Sequence, residues 1–517
     1  MPISGPSLTG PAPLNDLLSK AVSGKPQEWA LTSGDHSWTW RDFQRDVDHL
    51  AAQLIAMGLT PGQRVASLLP NCGELLIFYL ACFKAGLVAT PLNYRYTPAN
   101  IDYALGFSDV QLLFFHAERQ ADIADSQLAG GLPKGLISLN GALQGVRSFE
   151  SLLKTEAPEV VFPQIDVEAT ALIFFTSGST GKPKGVMHSI ASFGSIAASF
   201  SQALKLTESD IVFPGGSISH VGSLSTAFAA LSAQAPIVLD RGFDADAVLP
   251  VLRQHRPTVI VALPAALIAF LHDHKATRED FSSVRLLISG GDKFPLDIAQ
   301  QFAEFSGTDI TESYGLTEAT DSMLGPVDAP AKPGSVGHVC PGFSASIRDD
   351  QGREVREGNL WLAGRPVCQG YWNNPEENAK CFVDGWFDTG DVMAVDDDGY
   401  FWFKGRTKQI IVHDGSNIAP QEVEEAVMCH PAVDLAGAVG VRNEMHGENV
   451  WVFVTLKSGA RRPQMQQIIE VARKQIGYKA PEMVRFLDEM PLNVTGKIDR
   501  MTLKKMAAEY LSAHPLP

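Results

Sequence analysis

Cysteine is scarce and scattered: Cys72, Cys82, Cys340, Cys368, Cys381 and Cys429 are the only six, with no C-x-x-C pair among them. That excludes a disulfide scaffold and a cysteine-rich zinc site, and it fits a reducing compartment. Basic residues are outnumbered, 42 Lys and Arg against 58 Asp and Glu, for a formal net charge of −16. Such a surface argues against a general nucleic-acid or anionic-membrane binder, while leaving room for a local basic pocket that takes a phosphate. Long apolar runs are missing as well. Leu75–Phe83 and Val259–Leu271 are too short to cross a bilayer, and Pro264 interrupts the second. No basic residue precedes Lys20, and the chain closes on Pro515-Leu516-Pro517. Neither end reads as a targeting signal, so a cytoplasmic protein is expected.

What is present is a globular composition, 45% hydrophobic and 19% charged over 517 residues. That length is enough for roughly three domains or subdomains at about 150 residues each. Apolar positions at helical spacing over Asp42–Met57 and Leu75–Ala85 alternate with short apolar strands at Val65–Leu69, Leu112–Phe115, Ala171–Phe175, Thr258–Leu263 and Val284–Ile288. This rhythm predicts an α/β fold with a mostly parallel, doubly wound sheet. Near residue 335 it gives way to short strands between Gly and Asp turns, such as Asn359–Leu362 and Tyr400–Phe403, the mark of a β-rich subdomain. Beyond Gly405, Pro420–Met428 reads as a helix opening on proline and Val450–Leu456 as a strand. Met465, Ile468, Ile469, Ala472 and Ile476 share one helical face. The last hundred or so residues therefore form a small α+β domain.

The most informative segment is Thr176-Ser177-Gly178-Ser179-Thr180-Gly181-Lys182-Pro183-Lys184-Gly185, placed after a strand and before a helical stretch. Glycines admit close backbone approach, hydroxyls donate hydrogen bonds and lysines supply charge, which together describe a phosphate-binding loop. It is not a Walker A loop, because Thr176 stands where that motif needs glycine and Pro183 where it needs Ser or Thr.

This loop resembles the nucleotide-binding loop of the acyl-adenylate-forming superfamily of acyl-CoA synthetases, luciferases and peptide-synthetase adenylation domains. Four further segments match in order: Tyr314-Gly315-Leu316-Thr317-Glu318; Trp386–Asp391; Gly405-Arg406 followed by Lys408, Gly415 and Glu422; and Pro491–Arg500 around Lys497. The resemblance is greatest to bacterial acyl-CoA synthetases. It implies an N-terminal adenylation domain over 1–407 and a mobile C-terminal domain over 408–517, turning about a hinge at Lys408. It implies ATP, Mg²⁺ and coenzyme A as cofactor and co-substrates, and a small carboxylate as substrate.

Residue by residue, the resemblance gives Thr176, Ser177, Gly178, Ser179, Thr180, Gly181, Lys182 and Lys184 to the β- and γ-phosphates. Thr317 would meet the α-phosphate and Glu318 would hold Mg²⁺, as a hard carboxylate oxygen suits that ion. Tyr314 would stack on adenine, with Gly290, Gly291 and Asp292 opposite; Ser313 and Gly315 complete the nucleotide site. Asp391 would accept the ribose hydroxyls, supported by Arg406. Lys497 would be the catalytic lysine. His220 would gate an acyl pocket that includes Val221, Gly222, Gly290, Gly315 and Leu316. Gly415 would line a thiol tunnel, and Lys479 would face coenzyme A phosphates.

Asp292, Lys293 and Gln409 depart from the family pattern. The segments expected around the acyl group carry few charges, which favours an apolar monocarboxylate, aryl or medium-chain. A carrier protein or an amine as acyl acceptor stays open, as does a homodimer.

Overall fold

The computed structural model describes residues 2–141, 143–176, 183–242, 244–262, 264–272, 275–290, 296–329, 332–406, 409, 411–413, 416–443, 447–493 and 496–513. It divides into two compact units. One comprises Met1–Ser346, Trp361–Asp388 and Asp397–Phe401, the other Ile347–Leu360, Thr389–Asp396 and Trp402–Pro517.

In the first unit, the helical spacing read from 42 onward is a helix at Trp40–Ala56. Thr39 caps it, its side chain accepting from the Asp42 amide at 3.1 Å, and Trp40, Phe43, Val47, Leu50 and Leu54 form the buried face. The helix Gly73–Lys84 is apolar all round and buried along nearly its whole length, as a core helix must be. The expected strands lie within a few residues of their predicted positions, at Arg64–Leu68, Val110–His116, Thr170–Thr176, Val259–Val261 and Leu286–Gly290.

These strands belong to two sheets. Among the described residues, one sheet has eight strands and the other nine. The first runs parallel from Thr170–Thr176 through Val88–Pro91, Arg64–Leu68 and Val110–His116 to Leu136–Leu139. The second runs parallel from Ile310–Leu316 through Leu286–Gly290, Val259–Val261 and Val212–Phe213 to Ile237–Leu239 and Trp29–Ser33. Each changes to antiparallel pairing toward one end, with Lys184–Ser189 against Thr170–Thr176 and Ala319–Leu324 against Ile310–Leu316. Two of the segments singled out for nucleotide chemistry, the one beginning at Thr176 and Tyr314–Glu318, adjoin such a change of direction. The sequence reading carried the chain from the phosphate loop into a helix. The structure first inserts the strand Lys184–Ser189, with Lys184 opposite Thr176, and the helix starts only at Ile190. Val186 and His188 of that strand are buried, and the run is too short to announce a strand by its period.

In the second unit a sheet pairs Gly447–Leu456 with Val433–Asn443 antiparallel and with Met483–Phe486 parallel. Alternation divides its side chains cleanly. Ala436, Ala438, Val450, Val452 and Val454 share a core with Val423 and Val427 of the helix Pro420–Met428 and with Ile468 and Ala472 of Met465–Ile476. Val439, Val441, Trp451 and Phe453 face the other way, onto Leu503 and Ala507 of the helix Arg500–Ala513.

One ion pair ties these layers together. Glu424 accepts two hydrogen bonds from Arg500 Nη2, at 2.7 and 2.6 Å, and a third from the Ala438 amide at 2.7 Å. The Glu424 side chain is 8% exposed. Removing one partner of a buried pair costs about 3–5 kcal/mol, whereas replacing both with apolar groups costs much less. Arg500→Met should therefore lower the urea midpoint of the chain strongly, and Arg500→Met combined with Glu424→Leu should recover part of the loss. Equal midpoints for the parent and Arg500→Met would show that the pair contributes nothing.

Candidate active site

The second half of the Tyr314–Glu318 segment is shaped by a slip in strand register. Ser313 faces Leu324 and Tyr314 faces Met323, but Leu316 faces Ala319, so the pairing shifts around Gly315. A Cβ on Gly315 would lie 2.4 Å from the Asp321 amide nitrogen; only glycine allows the two strands to close there. Thr317 and Glu318 then form the turn between the strands. Buried His188 donates from Nε2 to the Thr317 carbonyl at 2.8 Å, and the Cys368 amide donates to the Glu318 carbonyl at 2.8 Å. Burial lowers the His188 pKa to about 4, so the ring is neutral at pH 7.

The Glu318 side chain meets Tyr371, whose hydroxyl donates to Oε1 at 2.7 Å. Burial first, and the Glu318 charge second, push the Tyr371 hydroxyl far above the ordinary phenol range, so it keeps its proton. Lys184 Nζ stands 4.8 Å from the Tyr371 ring centroid and forms an ion pair with Glu377. Lys184, expected on a phosphate, is thus held against a carboxylate of its own unit. An oxygen donor set of one carboxylate beside a hydroxyl-bearing turn residue fits Mg²⁺, which is bound through one or two carboxylates plus substrate phosphates. Tyr314 is buried, and Gly290 closes its strand opposite Ser313.

His220 is the N-cap position of the helix Val221–Ser232. The loop before it is built tightly. Gly215 has φ +65° and no room for a Cβ, which would fall 1.3 Å from the Val261 carbonyl oxygen. Buried Asn71 donates to the Gly216 carbonyl at 2.7 Å and accepts from the Ile218 amide at 2.8 Å, and Tyr79 donates to the Ile218 carbonyl at 2.9 Å. Asn93 Nδ2 lies 3.3 Å from His220 Nε2. Val221 and Gly222 follow in the first helical turn, next to buried Leu224.

Asp391, Arg406, Lys497 and Lys479 belong to the second unit. Asp391, 2% exposed at its side chain, lies 3.0 Å from Nε of half-exposed Arg406. Lys497 is exposed on a tight loop: the Asn493 amide donates to the Lys497 carbonyl at 2.7 Å and the Lys497 amide to Asn493 Oδ1 at 3.1 Å. Lys479 is bound to both carboxylate oxygens of Glu422, at 2.8 and 2.9 Å. Ser177, Gly178, Ser179, Thr180, Gly181, Lys182, Gly291, Asp292, Lys408 and Gly415 lie outside the described residues.

Residues 18–372 match the family model described as AMP-binding enzyme, and residues 422–497 match that of the AMP-binding enzyme C-terminal domain. The chain belongs to the AMP-binding enzyme family. Like others of that family it is a ligase of the AMP-forming acyl-CoA synthetase class. It is 32% identical to a feruloyl-CoA synthase of an Amycolatopsis species, over 92% of this chain and 94% of that one. It is 30% identical to a long-chain-fatty-acid–CoA ligase of Bacillus subtilis, over 96% and 95%. The fold is similar to that of ATP-bound MatB from Rhodopseudomonas palustris, with a TM-score of 0.89 and 27% identity over 97% of this chain and 99% of that chain.

In this AMP-binding enzyme three groups went unread in the sequence. His188 and Tyr371 act on the Thr317–Glu318 turn from 129 and 53 residues away, and nothing local marks either. The third is Asp321, three residues beyond Glu318. It sits at φ +52° and is buried, with Ser225 Oγ donating to its Oδ2 at 2.5 Å. Burial raises its pKa to about 7, against the opposing bond from Ser225. The folded chain keeps a proton that the unfolded chain releases above pH about 4. The group's stabilising contribution is therefore complete below that pH and is lost as pH rises through about 7. Relative to Asp321→Asn, which cannot titrate, the parent should lose on the order of 3 kcal/mol of stability between pH 5 and 8. Urea melts of both proteins across that range check this; parallel curves would refute it.

Proposed function

We propose that this enzyme is an ATP-dependent carboxylate–CoA ligase that works through an acyl-adenylate and accepts an apolar monocarboxylate, aryl or medium-chain. The substrate carboxylate attacks the α-phosphorus of ATP and pyrophosphate leaves. The coenzyme A thiolate then attacks the acyl carbonyl and AMP leaves. Both partners of the first step are anions, so the site must neutralise charge where it accumulates. The observation that carries the reading is the Thr317–Glu318 turn, held at both carbonyls and at the Glu318 carboxylate.

In this reading Thr176–Lys184 holds the β- and γ-phosphates, Thr317 the α-phosphate and Glu318 the magnesium ion, whose charge offsets that of the polyphosphate. Tyr314 stacks on adenine, Asp391 accepts the ribose hydroxyls beside Arg406, and Lys497 meets the reacting oxygens. The apolar preference is supported by the buried neighbours Val221 and Leu224 beside His220, and coenzyme A as acceptor by the relatives named above. Residues 408–517 are taken to turn about Lys408 after adenylation, exposing a thiol path at Gly415.

Losing one preorganised charge at a transition state typically lowers the rate about 10²–10³-fold. Lys497→Ala should depress pyrophosphate exchange at least that far, while thioester formation from supplied acyl-adenylate falls much less. Equal loss in both half-reactions would remove Lys497 from its role. A panel of aryl and medium-chain acids, scored for coenzyme A thioester, tests the whole reading. Adenylation without thioester on any acid would direct the acyl group to a carrier protein or an amine instead.

A further inference from the structure

A glutamate that binds a metal has three side-chain torsions to fix, and an unrestrained carboxylate loses that freedom only when the ion arrives. Glu318 is restrained beforehand, from one short segment. The Cys368 amide holds its carbonyl, and three residues later the Tyr371 hydroxyl holds its carboxylate. An ionised carboxylate offers about four acceptor positions, so the Tyr371 bond restrains it without precluding coordination.

Tyr371 is itself buried and held by several contacts. It is 5% exposed and paired through its strand with Val186. The Asn378 side chain accepts from its amide at 2.6 Å and donates to its carbonyl at 2.9 Å. The Phe382 ring packs edge-on at 5.9 Å. Lys184 stands over the ring, and its ammonium would cancel the Glu318 charge if it paired there. Glu377 takes that ammonium instead and keeps it over the ring.

We propose that Tyr371 is a positioning residue for the metal-binding carboxylate: its hydroxyl sets Glu318 in the orientation that receives Mg²⁺, and the Lys184–Glu377 pair holds the competing cation away. The proposal rests on the reading of Glu318 as the metal ligand. Tyr371 touches neither substrate nor metal in this scheme; it acts through Glu318.

Tyr371→Phe keeps the ring, its packing and the cation above it, and removes only the hydroxyl. Loss of a hydrogen-bonding partner behind a metal ligand typically weakens metal affinity about 10–100-fold. In the full-length Tyr371→Phe protein, the Mg²⁺ concentration for half-maximal pyrophosphate exchange should rise about tenfold or more. Calorimetry should show weaker binding of ATP with Mg²⁺ present, and unchanged binding of ATP in EDTA. The melting temperature should stay near that of the parent. Glu318→Gln, run alongside, should raise the Mg²⁺ requirement at least as far, and the double variant no further than Glu318→Gln alone. An unshifted Mg²⁺ requirement in Tyr371→Phe, with Glu318→Gln shifted, overturns the positioning role and leaves the metal ligand in place. A requirement unshifted in both overturns the two together. Equal weakening of ATP binding with and without Mg²⁺, alongside a lowered melting temperature, assigns Tyr371 to packing and also overturns the proposal.

Discussion

No side chain fits at Gly315, and much of the candidate active site follows from that one restriction. The glycine lets the strands Ile310–Leu316 and Ala319–Leu324 close on each other with a slip in register. The slip leaves Thr317 and Glu318 as the connecting turn and sends Asp321 into the left-handed region, an arrangement aspartate tolerates better than most residues. Turns are ordinarily the loose part of a sheet. Here the turn is held from outside by His188 at one carbonyl, Cys368 at the next and Tyr371 at the carboxylate. The restraint comes from the other sheet, from His188 on the strand Lys184–Ser189 and from the segment Cys368–Tyr371 that pairs beside it.

Helices with a strong period and strands with a plain apolar run were legible, because a local pattern defines them. Trp40–Ala56 lies within two residues of its predicted start and one of its end, and Pro420–Met428 falls as expected. The strand Lys184–Ser189 was not legible. It has six residues, begins on Lys-Gly and gains its identity only by pairing with Thr170–Thr176. Which strand joins which sheet was not legible for the same reason: βα alternation constrains neighbouring strands, not the membership of strands far apart. At the site, residues lying inside a motif were named from the sequence, whereas their supports were not. Tyr371 reads as an unremarkable strand residue until Glu318 is found beside it. Asn71, which fixes the loop before His220, lies 145 residues from its partner Gly216.

Electrostatics shows a second regularity. Several cations expected to serve the nucleotide or coenzyme A already face a carboxylate of their own unit: Lys184 faces Glu377, Arg406 faces Asp391 and Lys479 faces Glu422. For a chain of net charge −16 such pairing is chemically reasonable. A partly buried ammonium without a counter-charge would be costly to keep in the fold, and the excess of acids makes counter-charges available. Under the proposed function an arriving phosphate would exchange one anionic partner for another, and the gain in binding would be only the difference between the two.

The three pairs are not equivalent under that exchange. At Asp391 the acid is deeply buried and the arginine half-exposed. Under the proposed function a ribose would present hydroxyl donors to Asp391 and leave Arg406 in place, adding to the pair without breaking it. At Lys184 both partners are similarly buried, at 15% and 19% exposure, and the ammonium also lies over an aromatic ring. A phosphate there has to draw the lysine from Glu377, leaving a partly buried glutamate behind. Carboxylates so stranded are stabilised only by new donors or by protonation, which makes Lys184 the more costly of the two to recruit. The Lys479–Glu422 pair is more exposed, at 28% and 37%, and water screens both the pair and its rupture. The order of ease is therefore Asp391, then Lys479, then Lys184. The hardest exchange would fall beside the turn that carries Glu318, where, under the proposed function, a polyphosphate with its metal ion would bring the most charge to drive it.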